Sequence, residues 1–216
     1  MSVTPPDISA SDLDTTAQFL RSQSQLLITS HINSDGDGIA GGLALMGLLR
    51  QLDVHGQMLL QDVPSDRYAH LDGWDAIVAG ADADKNRHGC AVILDCPSFD
   101  RIGRVGDHLR ADATLLNIDH HQDNERFGTV NLVSDGVCST CEMLYHLAIH
   151  MDLEIDRTIA EQLYTGILFD TGGFRYSLTT PTSLEVGADL ARRGARLDRI
   201  ADRLYNNSTF DSVKLV

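Results

Sequence analysis

Two short stretches of this sequence carry the residue types that bind metal ions. His31, Asp35 and Asp37 fall within seven residues, with Gly36 and Gly38 beside the acids. Asp119, His120 and His121 are consecutive, and Asp95 and Asp170 each close an apolar run of their own. Carboxylates and imidazoles are ligands of divalent cations. Asp35 and Asp37 cannot easily share one small turn as bare anions, because like charges that close repel. No Lys or Arg lies within residues 26–49, so a metal ion is the candidate counter-charge. Asp and Gly are also turn formers, and Asp37 could instead cap the helix that follows.

Elements that would position these side chains are legible around them. Leu26-Leu27-Ile28 leads to His31, Val92-Ile93-Leu94 leads to Asp95, and Leu115-Leu116-Asn117-Ile118 leads to Asp119. Short apolar runs bounded by turn residues read as buried strands. Parallel strands point their carboxyl ends the same way, so the three groups can converge on one rim. Asp170 follows an apolar helix and precedes a glycine stop at Gly172 and Gly173. The convergence predicts a cluster of carboxylates and imidazoles too negative for one divalent ion. Two ions ~3.5–4 Å apart fit better, and the mixed ligand set suits Mn²⁺ better than Mg²⁺. Asp95 could alternatively form a strand-end turn with Pro97, and one of His120 and His121 could be a surface histidine. His55, His70, His88, His108, His146 and His150 read as ordinary.

Hydrophobic periodicity organises the remainder. Helices are expected over 11–21, 38–49, 99–110, 139–151, 157–168, 182–193 and 197–205, the third with Ile102, Val105 and Leu109 on one face. Further strands are expected over 55–60 and 130–133, with a weak apolar run at 77–79. Alternating strands and helices argue an α/β fold, a parallel sheet with helices on both faces. At 216 residues, one main domain is expected over 11–205, after a loose tail at 1–10 and before a linker-like end at 206–216.

Composition narrows the function. The chain is 43% hydrophobic and 22% charged, as globular domains are. A net charge of −14 argues against gripping long duplex nucleic acid. A short phosphorylated substrate remains compatible if metals supply local positive charge. The first ten residues lack a secretory signal's apolar core, and 38–49 is too short to span a bilayer, so no membrane partner is expected. Cys90, Cys96, Cys138 and Cys141 lack the two spaced pairs of a zinc ribbon and read as reduced thiols of a cytoplasmic protein.

In this order, His31-Ile-Asn-Ser-Asp35-Gly-Asp37, Asp95, Asp119-His120-His121 and Asp170-Thr-Gly-Gly-Phe174-Arg175 resemble the four motifs of the DHH phosphoesterases. Asn124, Phe127-Gly128 and Arg175-Tyr176 extend the likeness, which is greatest to the RecJ-like branch of oligoribonucleases (nanoRNases) and pAp phosphatases. The resemblance implies two Mn²⁺ ions, with Mg²⁺ or another divalent ion possible. His31, Asp35 and Asp95 would hold one, and Asp37, Asp95, His120 and Asp170 the other, with Asp95 bridging. Asp95, Asp119, His120 and His121 would be catalytic, Asp119 orienting a ligand from behind and His121 lying near the scissile phosphate. Asn33 and Arg175 would contact substrate, although Arg175 could equally pair with a nearby acid. The implied reaction is attack of a metal-activated hydroxide on phosphorus of short RNA, pApA or pAp. A manganese inorganic pyrophosphatase and a metal-binding sensor without turnover are the alternatives. Two departures stand out. Gly41-Gly42 replaces the usual Gly-Ser, and the sequence stops where a linker to a DHH-associated domain would begin. Members of the family are often dimers, so a homodimer is a possible assembly.

Overall fold

The computed structural model describes residues 8–80 and 87–206. Most of the expected tail, and the expected linker after Asn206, lie outside the described residues. Within them, Ile8 is already buried and Ser9 caps the first helix. In chain order the elements are α1 (Ala10–Arg21), β1 (Gln25–Thr29), α2 (Gly36–Arg50), β2 (His55–Leu60), β3 (Val78–Ala79), β4 (His88–Leu94) and β5 (Leu109–Asp119). They continue with β6 (Val130–Val133), α3 (Thr140–His150), α4 (Arg157–Asp170), α5 (Pro181–Arg192) and α6 (Leu197–Ala201).

The six strands form one parallel sheet in the order β3-β2-β1-β4-β5-β6. Leu26, Leu27 and Ile28 of β1 are all fully buried, which is why that strand reads as an unbroken apolar run. Alternation along β1 divides them. Leu26 and Ile28 join a large core with residues of α1 to α6, while Leu27 joins a smaller core with Ile93, Ile102 and Val105 on the other face. Helices thus cover both faces, but the α-helices share one and 3₁₀ structure covers the other.

That second face corrects the expected α-helix at 99–110. The segment is 3₁₀ structure over Phe99–His108, broken at Gly103, whose φ of +57° is left-handed. Its buried residues are Ile102, Val105 and His108, three apart, which is the 3₁₀ period. Leu109 belongs instead to β5, which begins six residues before the apolar run that opens at Leu115. The expected helix at 197–205 is α6 followed by a π turn at Asp202–Asn206. The weak run at 77–79 is a two-residue edge strand.

Small residues let α2 lie deep in the large core. At Gly42, where the resemblance leads one to expect Ser, an added Cβ would run into the terminal methyl of Met58. The thioether fills the space a hydroxyl would take. All four cysteines are buried and free, and among the described residues no helix is long and apolar enough to cross a membrane. Where α2 crosses α4, a Cβ on Gly47 would sit 2.9 Å from Cγ1 of Ile159. Gly47→Val should therefore lower stability by about 2 kcal/mol, since overpacking typically costs 1–3. In urea unfolding the midpoint should fall with no change in slope.

Candidate metal centre

The strand order reverses between β1 and β4, and in open α/β sheets the crevice at such a point receives ligands. His31 and Asp35 leave the carboxyl end of β1, Asp95 leaves β4, and Asp119 to His121 close β5. Asp95 has a φ of +56°, a left-handed conformation that Asp adopts more readily than most residues. Its carboxylate lies between two imidazoles. Oδ2 is 3.5 Å from Nε2 of His31, and Oδ1 is 3.5 Å from Nε2 of His120.

Each neighbour is aimed by its own backbone. Nδ1–H of His31 donates to the Ile32 carbonyl at 2.8 Å, which leaves Nε2 for Asp95 and for Asp35, 3.8 Å away. Asp35 is the N-cap of α2, with Oδ1 accepting the N–H groups of Asp37 and Gly38. The cap is therefore Asp35 and not Asp37. Fully buried, Asp37 is held from across the core. Thr140 N–H donates to its Oδ2 at 2.6 Å and Cys141 N–H to its Oδ1 at 3.0 Å. These are the first amides of α3, whose positive end stabilises an anion. Asp170 is the last residue of α4 and approaches His120 Nε2 to 3.2 Å.

His120 and His121 serve differently. Nδ1–H of His121 donates to Oδ1 of fully buried Asp119 at 2.7 Å. Asn124 donates to the other Asp119 oxygen at 2.6 Å and to the Asn117 side chain at 2.8 Å. This fixes the His121 tautomer and leaves Nε2 for the cavity.

Burial and charge shape the protonation. For His31, burial opposes the charged form, yet Asp35 and Asp95 push its pKa up to about 10. For His120, burial is likewise outweighed, by Asp170 and Asp95, and the pKa reaches about 11. Burial would raise Asp95, but His120 and His31 hold it below the usual carboxylate range. Burial, then Asp170 and Asp95, raise Asp37, and burial lifts Asp170 to about 6. Without a metal, protons supply the cluster's positive charge.

The donors fit a pair of divalent cations. His31, Asp35 and Asp95 place one ligand atom each within 4.8 Å of one another, as do Asp37, His120 and Asp170, and Asp95, His120 and His121. Asp170 Oδ2 is buried with no aligned hydrogen bond among the described residues, an acceptor left over for a cation.

All of these groups except fully buried Asp37 line a cavity of about 540 Å³, which Arg101, Gln122, Asp135 and Leu178 complete. Asn33 is exposed outside that lining, with φ +57° and its N–H on Asp62. Arg175 also lies outside it. Its Nε donates to the Gly172 carbonyl and its guanidinium sits 5.7 Å from the Tyr205 ring centroid, and among the described residues no acid pairs with it. Sequence reasoning missed Arg101, the Thr140 and Cys141 amides, and Gly166. The available signal for Arg101 was its place six residues after Asp95.

A model of the DHH family, N-terminal domain, matches residues 25–167. A bifunctional oligoribonuclease and PAP phosphatase of Thermus thermophilus is 31% identical over 83% of this chain and 53% of its own length. The Bacillus subtilis protein of the same name is 22% identical over 83% of this chain and 56% of its own. The chain spans about half the length of these curated relatives. Among solved structures, an exopolyphosphatase-related protein from Bacteroides fragilis superposes with a TM-score of 0.88 at 23% identity, over 97% of this chain and 64% of its own. A putative family II inorganic pyrophosphatase from Methanococcus jannaschii gives 0.57 at 19% identity, over 83% of this chain and 61% of its own. At these identities the two structures show the fold.

Two measurements check the centre. Imidazoles must be neutral to ligate, so metal uptake at pH 7 should release about two protons, from His31 and His120. In calorimetry the apparent heat should vary with buffer ionisation enthalpy accordingly. Both folded pKa values are raised, so the metal-free fold is favoured below the ordinary value of 6.5 and loses stability as pH climbs toward about 10 to 11. Metal affinity should rise over the same window. At Gly166, an added Cβ would press on Cys141 Sγ and Asp37 Oδ1. Gly166→Ala should keep the circular dichroism spectrum and weaken Mn²⁺ binding about 10–100-fold, the usual cost of disturbing a ligand's support.

Proposed function

The chain belongs to the DHH family, and from that premise we propose that it hydrolyses phosphoester bonds of short oligoribonucleotides, such as pApA, and of pAp, using two Mn²⁺ ions. The observation that carries this reading is Asp95, one oxygen toward His31 and the other toward His120, flanked by two separate donor sets. A bridging carboxylate between paired sites suits phosphoryl displacement, where attacking and leaving oxygens both need charge stabilisation. The name of the Thermus relative supports the choice of substrate.

In this reading His31, Asp35 and Asp95 hold one ion, and Asp37, Asp95, His120 and Asp170 hold the other. When bound, divalent ions supply Lewis-acid stabilisation and bring the pKa of water to ~7. His121, locked by Asp119, turns Nε2 toward a phosphate oxygen. The Thr140 and Cys141 amides of α3 fix the orientation of the Asp37 carboxylate. The cavity, about 540 Å³ in all, has room for a nucleotide-sized group beside the ions, as small-molecule sites of 300–1,000 Å³ do.

The test is phosphate release from pAp, cleavage of pApA, and phosphate release from pyrophosphate, each with Mn²⁺. The wild-type chain should act on pAp or pApA, and Asp95→Ala should fall to background on both. Turnover of pyrophosphate alone would refute the nucleotide reading, and tight Mn²⁺ binding without turnover of any of the three would refute the hydrolase.

A further inference from the structure

Among the described lining residues of the cavity, Arg101 is the only Lys or Arg, beside Asp35, Asp95, Asp135 and Asp170. Its backbone is pinned. Arg101 N–H donates to the Ser98 carbonyl at 3.2 Å, and its own carbonyl accepts the Ile32 N–H at 2.7 Å. That second bond stitches the Asp95 side of the crevice to the loop carrying His31 and Asp35. The next residue, Ile102, is fully buried in the smaller core. Two residues on, Gly103 turns left-handed, and Gln61 Oε1 accepts the Arg104 N–H at 2.8 Å, gripping the turn from the end of β2. The Arg101 side chain is exposed, and among the described residues no carboxylate forms an ion pair with it. A guanidinium in an acidic cavity with no acid paired to it is held for something else.

We infer that Arg101 binds the phosphoryl group under attack, its planar fork taking two non-bridging oxygens. This rests on the phosphoesterase reading of the same site. A guanidinium matches such oxygens in pairs, and charge-assisted bonds of that kind are the strong ones. Charge held at those oxygens in the transition state is what catalysis of phosphoryl transfer needs stabilised. The crevice geometry divides the labour. The acids of β1, β4, α2 and α4 serve the cations from one side, and Arg101 meets the anion from the 3₁₀ segment on the other. Arg175, the arginine that the motif pattern nominates, is spent on the Gly172 carbonyl and the Tyr205 ring.

The test compares wild type with Arg101→Ala, Arg101→Lys and Arg104→Ala, the last removing an exposed cation of the same segment outside the cavity lining. Thermal melts and Mn²⁺ calorimetry establish that fold and metal affinity survive. Inorganic phosphate is then titrated into each Mn²⁺-loaded protein, and kcat and KM are measured on pAp. Arg101→Ala should weaken phosphate binding about 10–100-fold and reduce kcat/KM by at least as much. Arg101→Lys should recover part of the binding and little of kcat, and Arg104→Ala should match wild type. Phosphate binding and kcat/KM unchanged in Arg101→Ala would overturn the assignment while leaving the phosphoesterase reading intact. If wild type hydrolyses neither pAp nor pApA, that reading fails separately. Phosphate titration then still decides on Arg101, with no difference between wild type and Arg101→Ala, or no binding to either, counting against it.

Discussion

Mutual repulsion of carboxylates at the carboxyl edge of one sheet is the constraint on which this structure turns. Asp35, Asp37, Asp95 and Asp170 converge where β1 and β4 part, and Asp37 and Asp95 are almost wholly buried. Burying unpaired anions is costly, so each carries a device that offsets the cost. Asp35 spends one oxygen on the first amides of α2. Asp37 takes two amides from the start of α3. Asp95 draws protons onto two imidazoles. Asp170 leans on the His120 imidazole, 3.2 Å from its Oδ2, and burial still lifts its pKa to about 6.

Support for Asp37 reaches further into the molecule than the site. The α3 amides point at it because the helix start is locked on both sides. Ser139 accepts the Glu142 N–H, and Glu142 returns its carboxylate to the Cys138 N–H at 2.7 Å. Fully buried Glu142 faces the equally buried His146 at 3.7 Å. A capping arrangement that elsewhere only starts a helix here aims the helix's positive end. Gly166 completes the clasp by leaving room for α4 to press Cys141 and Asp37 together.

How much of this was legible in the sequence depended on whether a signal was local. Strands β2 and β6 read with their exact bounds, and the three strand-end groups expected on one rim do meet there, because apolar runs ending in acids are local patterns. The segment after Asp95 did not. Ile102, Val105 and Leu109 satisfy helical spacing, and only Gly103 and Gly106 hinted at a tighter winding. With the segment read as an α-helix, Leu109 was assigned to the wrong element. The two α3 amides were invisible for another reason, since a backbone N–H has no sequence letter and its partner lies about a hundred residues away. Arg175 keeps its motif position but lies outside the cavity lining, with the Gly172 carbonyl and the Tyr205 ring beside its side chain.

The unequal covering of the sheet explains why the site is open on one side. From β1 the chain passes into α2 on the helical face, and from β4 it passes into the 3₁₀ segment on the thin face. The crevice between them therefore has a thick wall of buried helix that holds anions rigidly and a thin wall of exposed turns. Rigid placement is what metal ligands require, since a misplaced donor leaves a charge uncompensated. A substrate needs the reverse, access from solvent and a contact that can be made and released. The thin wall provides both, because its turns are pinned through backbone bonds at Ile32, Ser98 and Gln61 while the Arg101 side chain stays free to solvent. On the proposed reading, cations would sit against the helical wall of the cavity and the substrate's phosphate against the thin one, at the switch in strand order.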